Sequence, residues 1–238
     1  AACAAGSTYR GRPVGAGALI AAWSFHPRKV LTTGEGGMIT TDDPDWAARL
    51  RRLRSHGMSV SAADRHAADR VVLEEYGETA FNYRMTDVQA AMGLVQVRRL
   101  AGIVAQRREQ AARYHRLLAP HGLRAVRDPD HGTANYQSFW VELPAGAPPL
   151  VDVLTELAGA GVSARRGIMA AHLEPAYAGH PHRPLPHTEH LTSRSIIIPL
   201  HHELTDDDQR TVVDALARAL RLDTAPPGTA PTGTGTRP

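Results

Sequence analysis

The stretch SFHPRKVLTTGEGG, Ser24–Gly37, holds the only lysine of a 238-residue chain; of 27 Lys and Arg residues, all but Lys29 are arginine. Either residue supplies charge and covers surface. Only the lysine amine loses its proton near neutral pH and attacks a carbonyl carbon. A chain that drifts toward arginine keeps lysine where the amine itself is the reagent, and this points Lys29 toward imine chemistry. A GC-rich coding bias also depletes lysine and leaves a survivor anywhere, so the count alone keeps both readings open.

The neighbours sharpen the choice. GALIAAWSF, Gly17–Phe25, is an apolar run of strand length just before the lysine. Ser24 stands at its end, where a hydroxyl reaches an anion. Gly34, Gly36 and Gly37 permit either a sharp turn or close approach of backbone to a ligand. His26, three residues before Lys29, suits the lining of a site or plain packing.

Working outward, GMITTDD (Gly37–Asp43) reads as a second strand, after which Asp43 caps a helix with Pro44 at its first position. Residues 59–80 are polar and irregular, as a surface loop is. Thr86 and Gln89 stand at capping-box spacing, and a helical pattern runs on to about Leu118, with a kink expected near Gly102. NYQSFWVEL (Asn135–Leu143) alternates like a half-buried strand. VDVLTELAGAG is a helix closed by glycine, RSIIIPL a buried strand, and LTDDDQRTVVDALARAL a final helix capped by Thr205. Strands alternating with helices give an α/β architecture. The division expected is 1–105, 106–222 and a disordered Pro/Gly/Thr-rich tail, 223–238.

Composition narrows the function classes. Hydrophobic content of 42% and charged content of 21% are those of an ordinary globular protein. The single cysteine, Cys3, leaves no internal disulfide or cysteine-based zinc cage and suits a reducing compartment, so a cytoplasmic protein is expected. No apolar run is long enough to cross a bilayer, and no membrane role is expected. The net charge of +3 is mild. RLRRLRSHG (Arg49–Gly57) shares its segment with Trp46, Leu50 and Leu53 at helical spacing, which makes the arginines a solvated face and argues against nucleic acid. The histidines at 172, 180, 182, 187, 190, 201 and 202 lack an HExxH pattern, and no metal is expected. GAGALI has Ile20 at the third glycine position and precedes its strand, so it is no dinucleotide loop.

SFHPRKVLTTGEGGMITTDD, with STYRGRPVG upstream and FNYRMTDVQAAMGLVQVRRL downstream, resembles the DegT/DnrJ/StrS family of sugar aminotransferases, which use pyridoxal 5′-phosphate (PLP). The resemblance runs to about Leu220. It implies a PLP-dependent transferase of fold type I: a partial large α/β domain (1–105) followed by a smaller C-terminal α/β domain. Lys29 would join PLP as a Schiff base and move the proton between Cα and C4′. Ser24 would bind the PLP phosphate. Asn82, in FNYR, would reach the phosphate of a neighbouring subunit's cofactor, which implies a homodimer with shared sites. His172, in GIMAAHLEPAY, matches a segment that approaches substrate, against a structural role. Arg165 and Arg166 would meet a phosphate or carboxylate, or stay solvated. The donor would be glutamate or glutamine, and the acceptor a nucleotide-linked keto sugar or a keto-cyclitol. Relatives with histidine in place of the lysine are dehydratases, so Lys29 favours the aminotransferase branch.

The chain departs from that pattern in one respect. Family members carry a Glu-Asp pair just before the segment matching AACAAGSTYRGRPVG, with the aspartate on the pyridine nitrogen, and a phosphate loop and ring-stacking aromatic farther upstream. The expectation is therefore the C-terminal part of a longer enzyme, with exposed strand edges and weak PLP binding when alone. The alternative is a catalytically inactive remnant that acts by assembling with another chain.

Overall fold

The computed structural model describes residues 1–222, and the tail expected at 223–238 lies outside them. The chain forms two compact units. The first comprises Ala1–Val104 and Asp128–Gln137; the second comprises Ala105–Arg127 and the chain from Ser138 onward.

In the first unit, β1 (Thr8–Tyr9) and β2 (Arg12–Pro13) are short and antiparallel. β3 (Ala21–Ser24) pairs antiparallel with β4 (Gly37–Thr40), Ala21 opposite Thr40 and Ser24 opposite Gly37. β3 starts four residues later than its apolar run, because a turn with Gly15 and Gly17 at φ +93° and +79° occupies the approach. Trp23 Nε1 donates to Thr40 Oγ1 across the pair at 3.0 Å. All four β4 residues are exposed, Met38 and Ile39 among them.

Asp43 Oδ1 accepts the N–H groups of Asp45 and Trp46, which starts α1 (Pro44–Leu53) where the sequence places it. The stretch 59–80 is not wholly irregular. It holds α2 (Ala62–Ala67), begun by Ser61 Oγ accepting the Asp64 N–H at 3.0 Å. α3 (Asp87–Leu118) opens on the expected box: Thr86 Oγ1 accepts the Gln89 N–H, and Gln89 Oε1 accepts the Thr86 N–H. The helix runs unbroken through Gly102. Its first half exposes Val88, Met92, Leu94, Val95 and Val97. β5 (Gly132–Thr133) completes a three-stranded sheet in the order β2-β1-β5.

The second unit is built on β6 (Phe139–Glu142), α4 (Leu150–Gly159), β7 (Arg165–Arg166), α5 (Pro186–Arg194), β8 (Ser195–Ile198) and α6 (Asp206–Ala219). The sheet order is β6-β8-β7, all antiparallel. β8 is buried at every residue, as a central strand with both faces covered must be. Phe139, Val141, Ile196 and Ile198 are buried in the core with Tyr114, Val153, Leu157 and Leu216, the Tyr114 and Phe139 rings 5.0 Å apart. The strand expected from Asn135 begins only at Phe139, because Tyr136 takes φ +48° and breaks the extended run. α6 carries the full capping box of Thr205 and Asp208. The result is mixed α/β.

Candidate active site

Lys29 sits on the loop between β3 and β4, and backbone bonds shape that loop. The Phe25 N–H donates to the Gly36 carbonyl at 2.9 Å, and the Phe25 carbonyl accepts the Thr33 N–H at 3.1 Å and Thr32 Oγ1 at 2.8 Å. Phe25, Val30, Leu31 and Thr33 are buried. Lys29 is half-buried, and the loop's buried apolar residues anchor the backbone that carries it. Gly36, at φ +153°, is where the loop must close: a Cβ there would lie 2.5 Å from Thr33 Oγ1. Gln89, at the start of α3, donates through Nε2 to the Glu35 carbonyl at 2.9 Å and ties the far side of the loop down.

His26 forms the turn that carries the lysine. Its carbonyl accepts the Lys29 N–H at 2.9 Å, and its Nδ1 accepts the Arg28 N–H at 3.2 Å. Ser24 Oγ accepts the His26 N–H at 3.4 Å, so the three sequence-chosen residues 24, 26 and 29 belong to one hydrogen-bonded segment. The amine itself points at sulfur: Lys29 Nζ donates to Cys3 Sγ at 2.9 Å.

A brace from distant sequence fixes this arrangement. Gln137 Oε1 accepts the Val30 N–H at 2.7 Å, and its Nε2 donates to the Arg28 carbonyl at 2.5 Å. One side chain thus holds the residues on both sides of Lys29. Asn135, buried, donates through Nδ2 to the carbonyls of Cys3 and Ala5 at 2.9 and 2.8 Å. The sequence reading missed both amides. A signal was present: the alternation of the sequence assigns Asn135, Gln137, Phe139, Val141 and Leu143 to one face, and two polar residues in an otherwise apolar set need partners.

The remaining candidates fall elsewhere. Asn82 is exposed, bridges to Ser55, and accepts the Arg84 N–H on Oδ1 at 3.3 Å. In the second unit Arg165 is exposed on β7, with an N–H donated to Ser138 Oγ at 3.4 Å, and Arg166 pairs with Glu174 at 3.1 Å. His172 is nearly buried; Nε2 lies 3.2 Å from Glu189 Oε1, and its ring packs on His182. Glu189 also accepts the Leu185 N–H, and that bond, then the His172 contact, holds its carboxyl below the ordinary value. His172 therefore fastens the start of α5. Among the described residues no cluster of three or more His, Cys, Asp or Glu is set to hold a metal. No described helix is long and apolar enough to cross a membrane.

The sequence profile of the DegT/DnrJ/EryC1/StrS aminotransferase family matches residues 1–217. The chain belongs to this family. Among solved structures it is similar to the aminotransferase TlmJ from Streptoalloteichus hindustanus, at 34% identity and TM-score 0.80, over 93% of this chain and 57% of that one. It is similar to Spr1654 from Streptococcus pneumoniae in its PMP form, at 25% identity and TM-score 0.83, over 93% and 58%. It is also similar to DesI determined with its TDP-sugar product, at 32% identity and TM-score 0.77, over 91% and 53%. The chain thus spans little more than half the length of these structures. DegT/DnrJ/EryC1/StrS aminotransferases are PLP-dependent. The lysine loop fits that cofactor in its donor set: an accessible primary amine, with a strand-end hydroxyl five residues before it on the same bonded segment.

Proposed function

We propose that the protein is a PLP-dependent sugar aminotransferase that passes an amino group from glutamate or glutamine to a keto sugar. The observation that carries this is Lys29, the chain's sole primary-amine side chain, held accessible on a loop braced on both flanks. When bound, PLP supplies the electron-withdrawing ring that lets a Cα–H ionise. The chain's own part is narrower. The Lys29 amine would hold the cofactor's carbonyl carbon and, once free, would act as the base and acid that moves the proton between the substrate's Cα and the cofactor's C4′. Ser24 Oγ offers a hydrogen bond to the phosphate. The His26 turn and the Gln137 clamp keep the amine in place. Asn82, exposed, is free to reach a second subunit's cofactor, which makes a homodimer with shared sites the proposed assembly. Arg165 is the proposed contact for an acidic substrate group. A nucleotide-linked keto sugar or keto-cyclitol is the proposed acceptor, since DesI holds a TDP-sugar and is 32% identical. A cytoplasmic setting and a biosynthetic role in a secondary metabolite or polysaccharide belong to the same proposal.

A second reading has its own support. Val71, Leu73, Tyr83 and Val88 are 91%, 81%, 72% and 77% exposed in the first unit. An apolar surface of that kind suits a chain that works only when assembled with another. The two readings separate in one assay. Glutamate, PLP and a panel of nucleotide-linked keto sugars are incubated with the 238-residue chain and with any longer chain its reading frame encodes. Amino-sugar formation that requires Lys29 supports the enzyme. Its absence from both chains, with stable association to a partner, supports the second reading.

A further inference from the structure

The chain has one cysteine and one lysine, and they touch. Lys29 Nζ lies 2.9 Å from Cys3 Sγ although 26 residues separate them. The contact is built from both sides. Asn135 Nδ2 holds the Cys3 carbonyl, and Gln137 holds the carbonyl of Arg28 and the N–H of Val30. The two residues are themselves joined, the Gln137 backbone N–H donating to Asn135 Oδ1 at 2.9 Å. Cys3 is exposed, so a small oxidant reaches the sulfur.

An exposed thiol exposed to a hydroperoxide becomes a sulfenic acid, which then condenses with a nearby nucleophile or is oxidised further. No second cysteine exists to resolve it as an internal disulfide. The nucleophile at contact distance is an amine. We propose that Cys3 and Lys29 form a reversible sulfenamide cross-link under hydroperoxide, a modification that removes the amine from carbonyl chemistry. In the first step the S–H bond breaks, the peroxide O–O bond breaks, and Cys–SOH and water form; the thiol is oxidised and the peroxide reduced. In the second step the neutral Nζ attacks Sγ, the S–O bond breaks, and the departing hydroxide takes the Nζ proton as water. An external thiol reverses the bond: it attacks Sγ, nitrogen leaves as the amine after taking the proton, and a mixed disulfide remains for a second thiol to reduce. The bond forms regardless of what the protein catalyses. Its effect as an off-switch rests on the aminotransferase reading.

The test uses purified protein, limiting hydrogen peroxide and intact-mass measurement. The expected product is lighter than the starting protein by two hydrogens, yields a digest species joining the Cys3 and Lys29 peptides, blocks acylation of Lys29, and reverts with dithiothreitol. Cys3→Ser and Lys29→Arg should each abolish the two-hydrogen loss. Replacing Asn135 and Gln137 together by alanine should slow it. A protein that gains only oxygen atoms while Lys29 stays open to acylation overturns the proposal. So does a two-hydrogen loss that survives Lys29→Arg, which would place the bond on a backbone nitrogen. Loss of PLP labelling at Lys29 in untreated protein would count against the aminotransferase reading and leave the cross-link result standing.

Discussion

Asn135 and Gln137 are joined by a 2.9 Å bond from the Gln137 N–H to Asn135 Oδ1, and through it the segment carrying Cys3 is tied to the segment carrying Lys29. The amine's position therefore depends on residues more than 100 positions away in the chain.

Asn135→Ala strands the carbonyls of Cys3 and Ala5 and the N–H of Gln137. Each buried group left unpaired costs about 1–3 kcal/mol, partly recovered by water. The expected net loss is about 2–3 kcal/mol of stability, read from the urea midpoint, with faster hydrogen exchange at the Gln137 amide. An unchanged midpoint and unchanged exchange would show that the brace holds nothing.

Gly36→Ala acts on the loop directly. The residue sits at φ +153°, and its new Cβ would press on Thr33 Oγ1. A strained backbone position of this type costs about 1–3 kcal/mol. PLP labelling of Lys29 is expected to weaken while the second unit's near-UV signal, from Trp140 and Tyr114, stays as it was. Equal labelling in variant and parent would mean that the loop closes without a glycine there.

The sequence foretold the parts governed by short range. Asp43 with Pro44, Thr86 with Gln89 and Thr205 with Asp208 are local rules, and each helix starts where its cap stands. The buried strand RSIIIPL and the lysine loop's family likeness were equally legible. Features made by long-range pairing were not. Tyr136 at φ +48° ended the strand that alternation carried back to Asn135, because the flanking amides bond other segments. The two-residue strands β1, β2 and β5 are too short to leave a period. α2 hides in a polar stretch whose helix is set by the Ser61 cap and not by an apolar face. The sequence set a substrate contact at His172 against a structural role, and Glu189 on α5, 17 residues on, supplies a structural partner.

Thr205→Ala removes the acceptor for the Asp208 N–H at the start of α6, whose inner face includes Val212, Val213 and Leu216. The expected loss is about 1 kcal/mol in a thermal or urea melt, with Thr205→Ser close to the parent. Thr205 is also what holds the Asp208 carboxyl below its ordinary value, so nuclear magnetic resonance titration of Asp208 in Thr205→Ala should move upward.

Glu142 links the second unit's stability to pH. The His190 hydrogen bond at 2.7 Å, and after it the Arg124 charge at 2.8 Å, hold its carboxyl below the ordinary value of 4.5 despite the opposing effect of burial. A depressed folded value means that the unfolded chain takes up the proton first on acidification. The stabilisation is therefore complete above about pH 4.5 and is lost as the pH falls through the folded value. Glu142→Gln should flatten this acid limb of a stability profile. An acid limb as steep in the variant as in the parent would assign the pH dependence to other carboxylates.

The most direct measurement of the central claim is borohydride trapping with PLP, followed by peptide mapping, on the 238-residue chain and on any longer chain its frame encodes. A reduced pyridoxyl group is expected on Lys29 and none in Lys29→Ala. A label on any other residue, or no label in either chain, would contradict it.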